Sequence, residues 1–336
     1  MKIVKKTVAR LQTPYAVDYF ERKDSTDAVC ASGDNDGCVM FDVATCQVRE
    51  QSWSCPNGGA QVFHQLDENT FFCIQGFFPE YKCEQARLVR GRRTSADAWK
   101  IETCFRLPYM HKFVVAEDGD DRYLFAATLC GKKNGKEDWS SPGAVLCSKI
   151  PDDPIHGPWE FETVIPQLTK NHGFCKALYR GESTLFFSGS EGAFAVKAHR
   201  ENNRWRVEQL LDHEVSDLYV CDLDDDGEEE ITTINGFHGN TLAVYKHGAS
   251  GYKEIFNYTL NYGHTVWAGR LQGQPAIITG ELFGEERFII LTATGSQKFS
   301  EVYVGNGVGP FGVKVHEAGA KTYLLVPARA AEAVLL

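Results

Sequence analysis

The sequence lacks a run of apolar residues long enough to cross a membrane, since such a span needs about 18 consecutive apolar residues. It also lacks a long run of lysine and arginine, and its 35 basic residues are outnumbered by 45 acidic ones. The net charge of −10 makes nucleic acid and anionic membrane surfaces poor partners. The basic residues near Met1 have no apolar segment behind them, so we expect no secretory signal.

No CxxC pair and no zinc-ribbon spacing occurs among the 11 cysteines. Several of them alternate with apolar residues, as Cys73 does between Phe72 and Ile74, which is typical of buried thiols. An odd number of cysteines at irregular positions favours free thiols and predicts a reducing, cytoplasmic location. A metal-binding or nucleophilic role for one of these cysteines is the alternative.

Long helical periodicity is absent, and methionine is scarce, with 3 residues. Short apolar runs of about 4–8 residues recur instead, many of them β-branched or aromatic and separated by turn residues. Examples are TLFFSG, AFAVKAH and TLAVYKH. Aromatic residues make up 12% of the chain, which also favours strands. The sequence therefore predicts an all-β fold.

The predicted strands recur in groups of four. A polar residue, glycine or proline leads into a first strand, an acidic turn joins it to a second, a Gly-rich loop precedes the third, and the fourth is more polar. The groups begin near residues 15, 61, 111, 172, 217, 264 and 310, at intervals of 45 to 61 residues. Four strands with this period are typical of a β-propeller.

The two ends of the chain together complete one more unit, because residues 1–14 and 311–336 jointly have the length of one repeat. We therefore predict a single domain over residues 1–336, a seven-bladed β-propeller with four-stranded blades. Residues 1–14 complete the last blade through a strand over residues 2–11, which removes the open edge that a half-blade would leave. Two β-sandwiches are the alternative architecture.

One repeat contains the motif D-x-D-x-D-G-x-x-E between two strands, at residues 222–230. Alternate carboxylates, a glycine for the sharp turn and a closing glutamate suit the oxygen ligands of Ca²⁺. The predicted ligands of a structural calcium ion are Asp222, Asp224, Asp226 and Glu230. An acidic turn without a bound ion is the alternative. The motif is similar to the calcium loop of FG-GAP repeats, also called VCBS repeats.

The first strand of every propeller blade lines the central channel, so the residues that begin these strands converge. Three of the seven first-strand positions are histidines, although the chain has only 10 histidines: His111, His172 and His264. Converging imidazoles suit a divalent transition metal, and we expect Zn, Mn or Mg in the channel. Metal-free acid–base chemistry and hydrogen bonding in a water-filled channel are the alternatives.

The loops on the same face of the propeller add basic and aromatic side chains. Cations can hold carboxylates and flat rings can stack on sugars, so we expect a small sugar-like ligand. The predicted substrate-binding residues are Phe78, Lys132, Trp139, Tyr262 and Arg329.

Two segments of the C-terminal third, residues 262–269 (YGHTVWAG) and 307–312 (GVGPFG), carry a family resemblance. Residues 215–316 resemble the FG-GAP-type propeller of aldos-2-ulose dehydratase and its uncharacterised bacterial relatives. The resemblance implies a seven-bladed propeller. Some members of that family eliminate water from a keto-sugar with the help of a divalent metal, and the resemblance implies such an activity.

Elimination needs a base for the proton next to a carbonyl or carboxylate, and a cation to stabilise the enolate that forms. His238 is the candidate base, and the candidate orienting or charge-stabilising residues are Lys112, Glu281 and Arg287. We therefore expect a carbohydrate-active lyase or dehydratase that acts on a keto- or acidic sugar. A non-catalytic cytoplasmic scaffold for protein or glycan is the alternative, and it would present a flat apolar face.

Overall fold

The computed structural model describes residues 3–34, 37–51, 59–78, 83–95, 98–295, 298–329 and 332–335. These residues form 28 β-strands and one short 3-10 helix, Cys83–Gln85. Among the described residues, no helix is long and apolar enough to cross a membrane. The all-β prediction is confirmed.

The described strands form seven antiparallel sheets of four strands each. Strands β2–β5 are Pro14–Glu21, Thr26–Ser32, Cys38–Asp42 and Val48–Gln51. Strands β6–β9 are Ala60–Asp67, Thr70–Gln75, Arg87–Ser95 and Ala98–Arg106. Strands β10–β13 are Met110–Asp118, Asp121–Thr128, Val145–Lys149 and Glu162–Ile165. Strands β14–β17 are Gly173–Tyr179, Glu182–Gly189, Gly192–Glu201 and Arg204–Leu211.

The remaining three sheets come from the C-terminal part of the chain and the N-terminal strand. Strands β18–β21 are Val215–Cys221, Glu230–Asn235, Thr241–Gly248 and Gly251–Thr259. Strands β22–β25 are Gly263–Leu271, Gln274–Glu281, Phe288–Gly295 and Lys298–Gly305. The last sheet consists, in spatial order, of β26 (Lys314–Ala318), β27 (Lys321–Ala328), β28 (Glu332–Leu335) and β1 (Lys6–Arg10).

The first strands of the sheets begin close to the predicted repeat starts. As expected from the sequence, the N-terminal strand pairs with the C-terminal one, with Lys6 opposite Leu335 and Arg10 opposite Glu332. Residues 1 and 2 of the predicted N-terminal segment lie outside the described residues. The prediction of four-stranded blades is confirmed.

Neighbouring sheets pack face to face through buried apolar clusters. Val29 and Ala31 of β3 pack on the sheet β6–β9. Ala28 and Cys30 of the same strand pack on the other side, in a cluster that includes Leu325 of β27. Successive side chains of a strand point to opposite faces, so one middle strand serves two interfaces. The fourth strands, such as β17 and β25, are largely exposed and polar.

The ten cysteines that the structure describes carry free thiols, and seven of them are buried. Burial raises the pKa values of Cys30, Cys147 and Cys175, because the thiolate would lose its hydration. These thiols pack as small apolar groups, and a nucleophilic role does not suit them. Cys55 lies outside the described residues.

Gly91 of β8 lies opposite Phe71 of β7, and a Cβ at position 91 would fall on the Phe71 ring. That ring also packs against Phe20 and Trp99 and has little room to move. We expect Gly91→Ala to lower the free energy of unfolding by about 1–3 kcal/mol, because overpacking forces side chains off their rotamers. Urea unfolding measures the change.

The matched control is Gly135→Ala, since no atom lies within 4 Å of the Cβ position there. This substitution should change the free energy of unfolding by less than about 0.5 kcal/mol. Equal stabilities of the two variants would contradict the proposed contact between position 91 and Phe71.

Candidate metal and ligand site at the channel mouth

A cavity of about 540 Å³, which we call the outer cavity, opens among the loops that lead into the first strands. This volume is typical of sites for small molecules. Its lining includes four histidines (His111, His172, His238 and His264), seven aromatic residues (Tyr15, Phe77, Phe78, Trp139, Phe237, Tyr262 and Phe311) and three lysines (Lys133, Lys136 and Lys170). The mouth of the channel is therefore concave and lined by both charged and aromatic side chains.

Three of the four imidazoles converge on one point. One nitrogen from each of His172, His238 and His264 lies within 4.8 Å of the other two. The Nε2 atoms of His238 and His172 are 3.5 Å apart. A tetrahedral zinc ion with bonds of 2.0–2.1 Å holds its nitrogen ligands about 3.4 Å apart. The spacing therefore fits a shared metal ion.

Backbone carbonyls orient two of these rings. Nδ1 of His172 donates to the Ser216 carbonyl at 3.2 Å, and Nδ1 of His264 donates to the Phe311 carbonyl at 3.0 Å. Because a carbonyl only accepts, Nδ1 carries the proton in both rings and the lone pair of Nε2 is left for a ligand. Such hydrogen bonds are typical of histidines that bind metals.

The third ring, His238, lies beside a tyrosine. Nδ1 of His238 is 2.9 Å from the Tyr262 hydroxyl. Burial lowers the pKa values of His172 and His264 well below the ordinary value, and it lowers the pKa of His238 to about 4. All three imidazoles are therefore neutral at neutral pH, which is the form that binds a metal.

The converging set differs in one member from the set expected from the sequence. His111 lies next to the cluster, with its ring centroid 4.8 Å from that of His172, but it is not one of the three that share a point. Its ring packs against Phe77, at 4.7 Å between centroids. His238, the candidate base, takes the third position because its loop folds over the channel.

Three residues of the outer cavity have backbones in the left-handed region. The φ angles are +53° at Lys170, +50° at His238 and +62° at Tyr262. Residues other than glycine adopt this conformation at a cost, and such positions cluster at functional sites. The surrounding loops therefore hold these side chains in place over the channel.

Cations lie beside flat rings on one wall of the outer cavity. The Lys133 ammonium is 3.3 Å from the centroid of the Trp139 ring. The Lys170 ammonium pairs with Glu214 at 2.7 Å and lies 5.3 Å from the centroid of Phe237. Cation and ring together suit a ligand with both a sugar face and an acidic group. Sequence reasoning did not select Lys170 or Glu214.

The predicted substrate-binding residues divide into two groups. Phe78, Trp139 and Tyr262 line the outer cavity, as expected. Lys132 is exposed, and its neighbour Lys133 faces the cavity instead. Lys132 forms a β-bridge with Ser141 at this point of the loop, which turns the next residue inward.

Three other predicted residues bind local partners and are not among those that line either cavity. Glu281 and Arg287 form an ion pair, with distances of 2.5 and 2.9 Å between their atoms. Arg329 donates to the Leu282 carbonyl and to Glu286, the latter at 3.0 Å. The structure therefore does not bring these three residues to a cavity, because each guanidinium binds a nearer acceptor.

Lys112 faces a second, smaller cavity of about 240 Å³ within the channel, which we call the channel cavity. Gln61 and Asp217 also line it. Burial lowers the pKa of Lys112 to about 8 and raises the pKa of Asp217 to about 7. Sequence reasoning used Gln61 and Asp217 only as repeat starts. Both residues stand at the same point of the repeat as the three predicted histidines, and this position could have identified them as channel residues.

The carboxylates of the predicted calcium loop bind a lysine of the adjacent strand β20. Asp222, Asp224 and Asp226 do lie together, as expected. The Lys246 ammonium binds Asp224 at 2.9 Å, Asp226 at 2.8 Å and Glu230 at 2.5 Å. Glu230 therefore forms an ion pair with Lys246. A calcium ion would have to displace the Lys246 ammonium from Asp224 and Asp226.

Comparison with known proteins finds similarity only at the level of structure. No family model matches this chain, and no curated protein matches it by sequence. A candidate 6-phosphogluconolactonase from Bacteroides fragilis NCTC 9343 matches with a TM-score of 0.56 at 13% identity, over 94% of this chain and 87% of that one. A second, from Bacteroides uniformis ATCC 8492, has a TM-score of 0.56 at 12% identity, over 95% and 90%.

Sqt1 from Saccharomyces cerevisiae matches with a TM-score of 0.55 at 8% identity, over 99% of this chain and 97% of that one. At such identities the similarity shows the fold alone. The protein is a β-propeller of four-stranded blades. Because no family model matches, the resemblance to FG-GAP propellers stays a prediction.

We expect Lys246→Met to lower the free energy of unfolding by about 3–5 kcal/mol, since it leaves the buried Glu230 and its neighbours without a counter-charge. Millimolar Ca²⁺ should restore part of this loss, because an ion that binds only the folded state stabilises it. Calcium should not change the melting temperature of the wild type. Thermal unfolding with and without Ca²⁺ measures both effects.

The matched control is Lys253→Met, because Lys253 is the exposed cross-strand neighbour of Lys246. This variant should unfold like the wild type and be indifferent to Ca²⁺. A rise in the wild-type melting temperature with Ca²⁺ would show that the loop binds calcium while Lys246 is present, as the sequence alone suggested.

Proposed function

We propose that the protein is a closed seven-bladed propeller that acts as a metal-dependent lyase or dehydratase on a keto- or acidic sugar. The convergence of His172, His238 and His264 within 4.8 Å is the observation that carries this proposal. The mouth of the channel is concave and carries histidines and lysines among its aromatic residues, which supports an enzyme over a scaffold with a flat apolar face. Two structural neighbours are candidate 6-phosphogluconolactonases, which is compatible with a sugar substrate.

The closed ring is supported by the packing between the first and last sheets. Leu325 of β27 shares a buried cluster with Val17 and Cys30, and the Tyr19 hydroxyl donates to the Tyr323 carbonyl at 3.1 Å.

The free thiols of the described cysteines support a place in the reducing cytoplasm.

The donor set favours one metal over the others expected from the sequence. Three imidazoles suit Zn²⁺, whereas Mg²⁺ and Mn²⁺ prefer carboxylate and water oxygens. A zinc ion with three protein ligands keeps a position open for substrate. When bound, it would polarise the carbonyl oxygen next to the carbon that loses a proton.

His111 is the base in this proposal, in place of His238. Its Nδ1 atom has no hydrogen-bond partner among the described residues, and its side chain is 3% exposed. Burial lowers the pKa of His111 well below the ordinary value, so the ring is neutral at neutral pH. Lys133 and Lys170 would hold the carboxylate of the substrate while Trp139 packs on the sugar.

We expect the protein to bind one Zn²⁺ through three histidines. His172→Ala, His238→Ala and His264→Ala should each weaken zinc affinity by roughly a hundredfold or more, since even the loss of an outer hydrogen bond costs 10–100-fold. His111→Ala should keep zinc affinity and lose turnover. Isothermal titration calorimetry and metal analysis of the dialysed protein measure the binding.

His156→Ala is the control, because that side chain is 81% exposed and lies outside the cavity. Its zinc affinity should equal that of the wild type. Loss of zinc in His111→Ala together with retention in His238→Ala would overturn the assignment and restore the ligand set expected from the sequence.

With zinc bound, we expect elimination of water from a keto-sugar or sugar acid, giving an α,β-unsaturated carbonyl that absorbs in the ultraviolet. Aldos-2-uloses, aldonic acids and uronic acids are the substrates to test. His111→Gln should reduce kcat by about 10²–10⁴-fold, because it removes the base and keeps the shape of the side chain. Hydrolysis of 6-phosphogluconolactone without any elimination would overturn the lyase proposal in favour of a lactonase.

A further inference from the structure

The channel cavity lies on the inner side of the histidine cluster. It is lined by residues of the first strands, and His172, His264, Tyr15 and Phe311 belong to its lining as well as to that of the outer cavity. The two cavities are therefore neighbours that share a wall. A molecule bound at the histidines has the channel cavity directly beneath it.

Gln61 is buried in the wall of the channel cavity with its amide unsatisfied. Its side chain is 3% exposed, and neither its Oε1 nor its Nε2 has a hydrogen-bond partner among the described residues. A buried amide without partners costs about 1–3 kcal/mol, and native proteins rarely leave one so. The amide offers both a donor and an acceptor to whatever fills the cavity.

Two opposite charges face the same cavity without touching each other. Across the residues that the structure describes, the Lys112 ammonium forms no hydrogen bond and no ion pair, although Asp217 lines the same cavity. Each Asp217 oxygen accepts one backbone N–H, from Leu218 or Val266, at 3.0 Å. Each oxygen can accept one further bond. A group placed between Lys112 and Asp217 would meet a donor on one side and an acceptor on the other.

We propose that the channel cavity binds the polyhydroxyl chain of an open-chain sugar whose reacting end lies at the histidine cluster. A hydroxyl both donates and accepts, so it can bridge Lys112, Asp217 and Gln61 in any order. An anion would face the Asp217 carboxylate, and a cation would face the Lys112 ammonium. One positive, one negative and one neutral polar group together match an uncharged polyol.

Aromatic side chains complete this binding site. Phe174 and Trp267 line the channel cavity beside the polar residues, and the Lys112 ammonium lies 5.8 Å from the centroid of the Phe174 ring. Flat apolar faces next to hydrogen-bonding groups suit the C–H and O–H edges of a sugar chain. The inference rests on the proposed function only for the position of the reacting end.

The test is calorimetric titration of xylitol into the metal-free protein. We expect xylitol to bind the wild type, and to bind Gln61→Leu and Asp217→Asn at least about tenfold more weakly, because each loses a hydrogen bond to a hydroxyl. His156→Ala should bind xylitol like the wild type. All four proteins should bind Zn²⁺ equally, so failure of the zinc site and failure of the polyol site are separate results.

Acetate and sulfate are the competing probes. Binding of either anion in place of xylitol would overturn the proposal, and so would a wild type that binds none of the three, since the channel would then hold water only. If a variant does not fold, a crystal of the wild type soaked in xylitol decides the matter. Electron density for xylitol between Gln61, Lys112 and Asp217 supports the proposal, and its absence from the channel overturns it.

Discussion

The structure depends on the burial of both faces of each middle strand between neighbouring sheets. In β3, Val29 and Ala31 face one neighbour while Ala28 and Cys30 face the other. A sheet that is apolar on both faces is not stable in water by itself, so every sheet needs a partner on each side. Pairing of Lys6–Arg10 at one end of the chain with Glu332–Leu335 at the other gives the last sheet its fourth strand.

Among the described strands, the first strand of each sheet is an edge strand. The hydrogen bonds that orient the histidines cross between sheets. The Ser216 carbonyl that fixes His172 belongs to the next sheet along the chain, and the Phe311 carbonyl that fixes His264 directly precedes the next sheet. Because these carbonyls are set by the packing of the sheets, the same packing aims the Nε2 atoms at a common point.

Burial at the axis also determines the chemistry that the site offers. Desolvation keeps the imidazoles neutral, so they are ligands or bases and not cations. The acidic loop at residues 222–230 shows that a motif alone does not determine which cation its carboxylates bind. Its carboxylates have the spacing of calcium ligands, yet Lys246 on the adjacent strand β20 supplies the positive charge.

The sequence alone predicts the strands and their grouping, because alternation of apolar residues with period two is a local property of the chain. It also placed His172 and His264 at the channel, since both stand at the same point of the repeat. The position of His238 beside them, and of Lys133 rather than Lys132 at the cavity, depends on tertiary packing. Those positions depend on the path of a loop and on the partners that a loop brings close, such as Glu281 for Arg287 within one sheet. Local periodicity predicts neither the path of a loop nor the distance between blades, because both arise when all the sheets pack together.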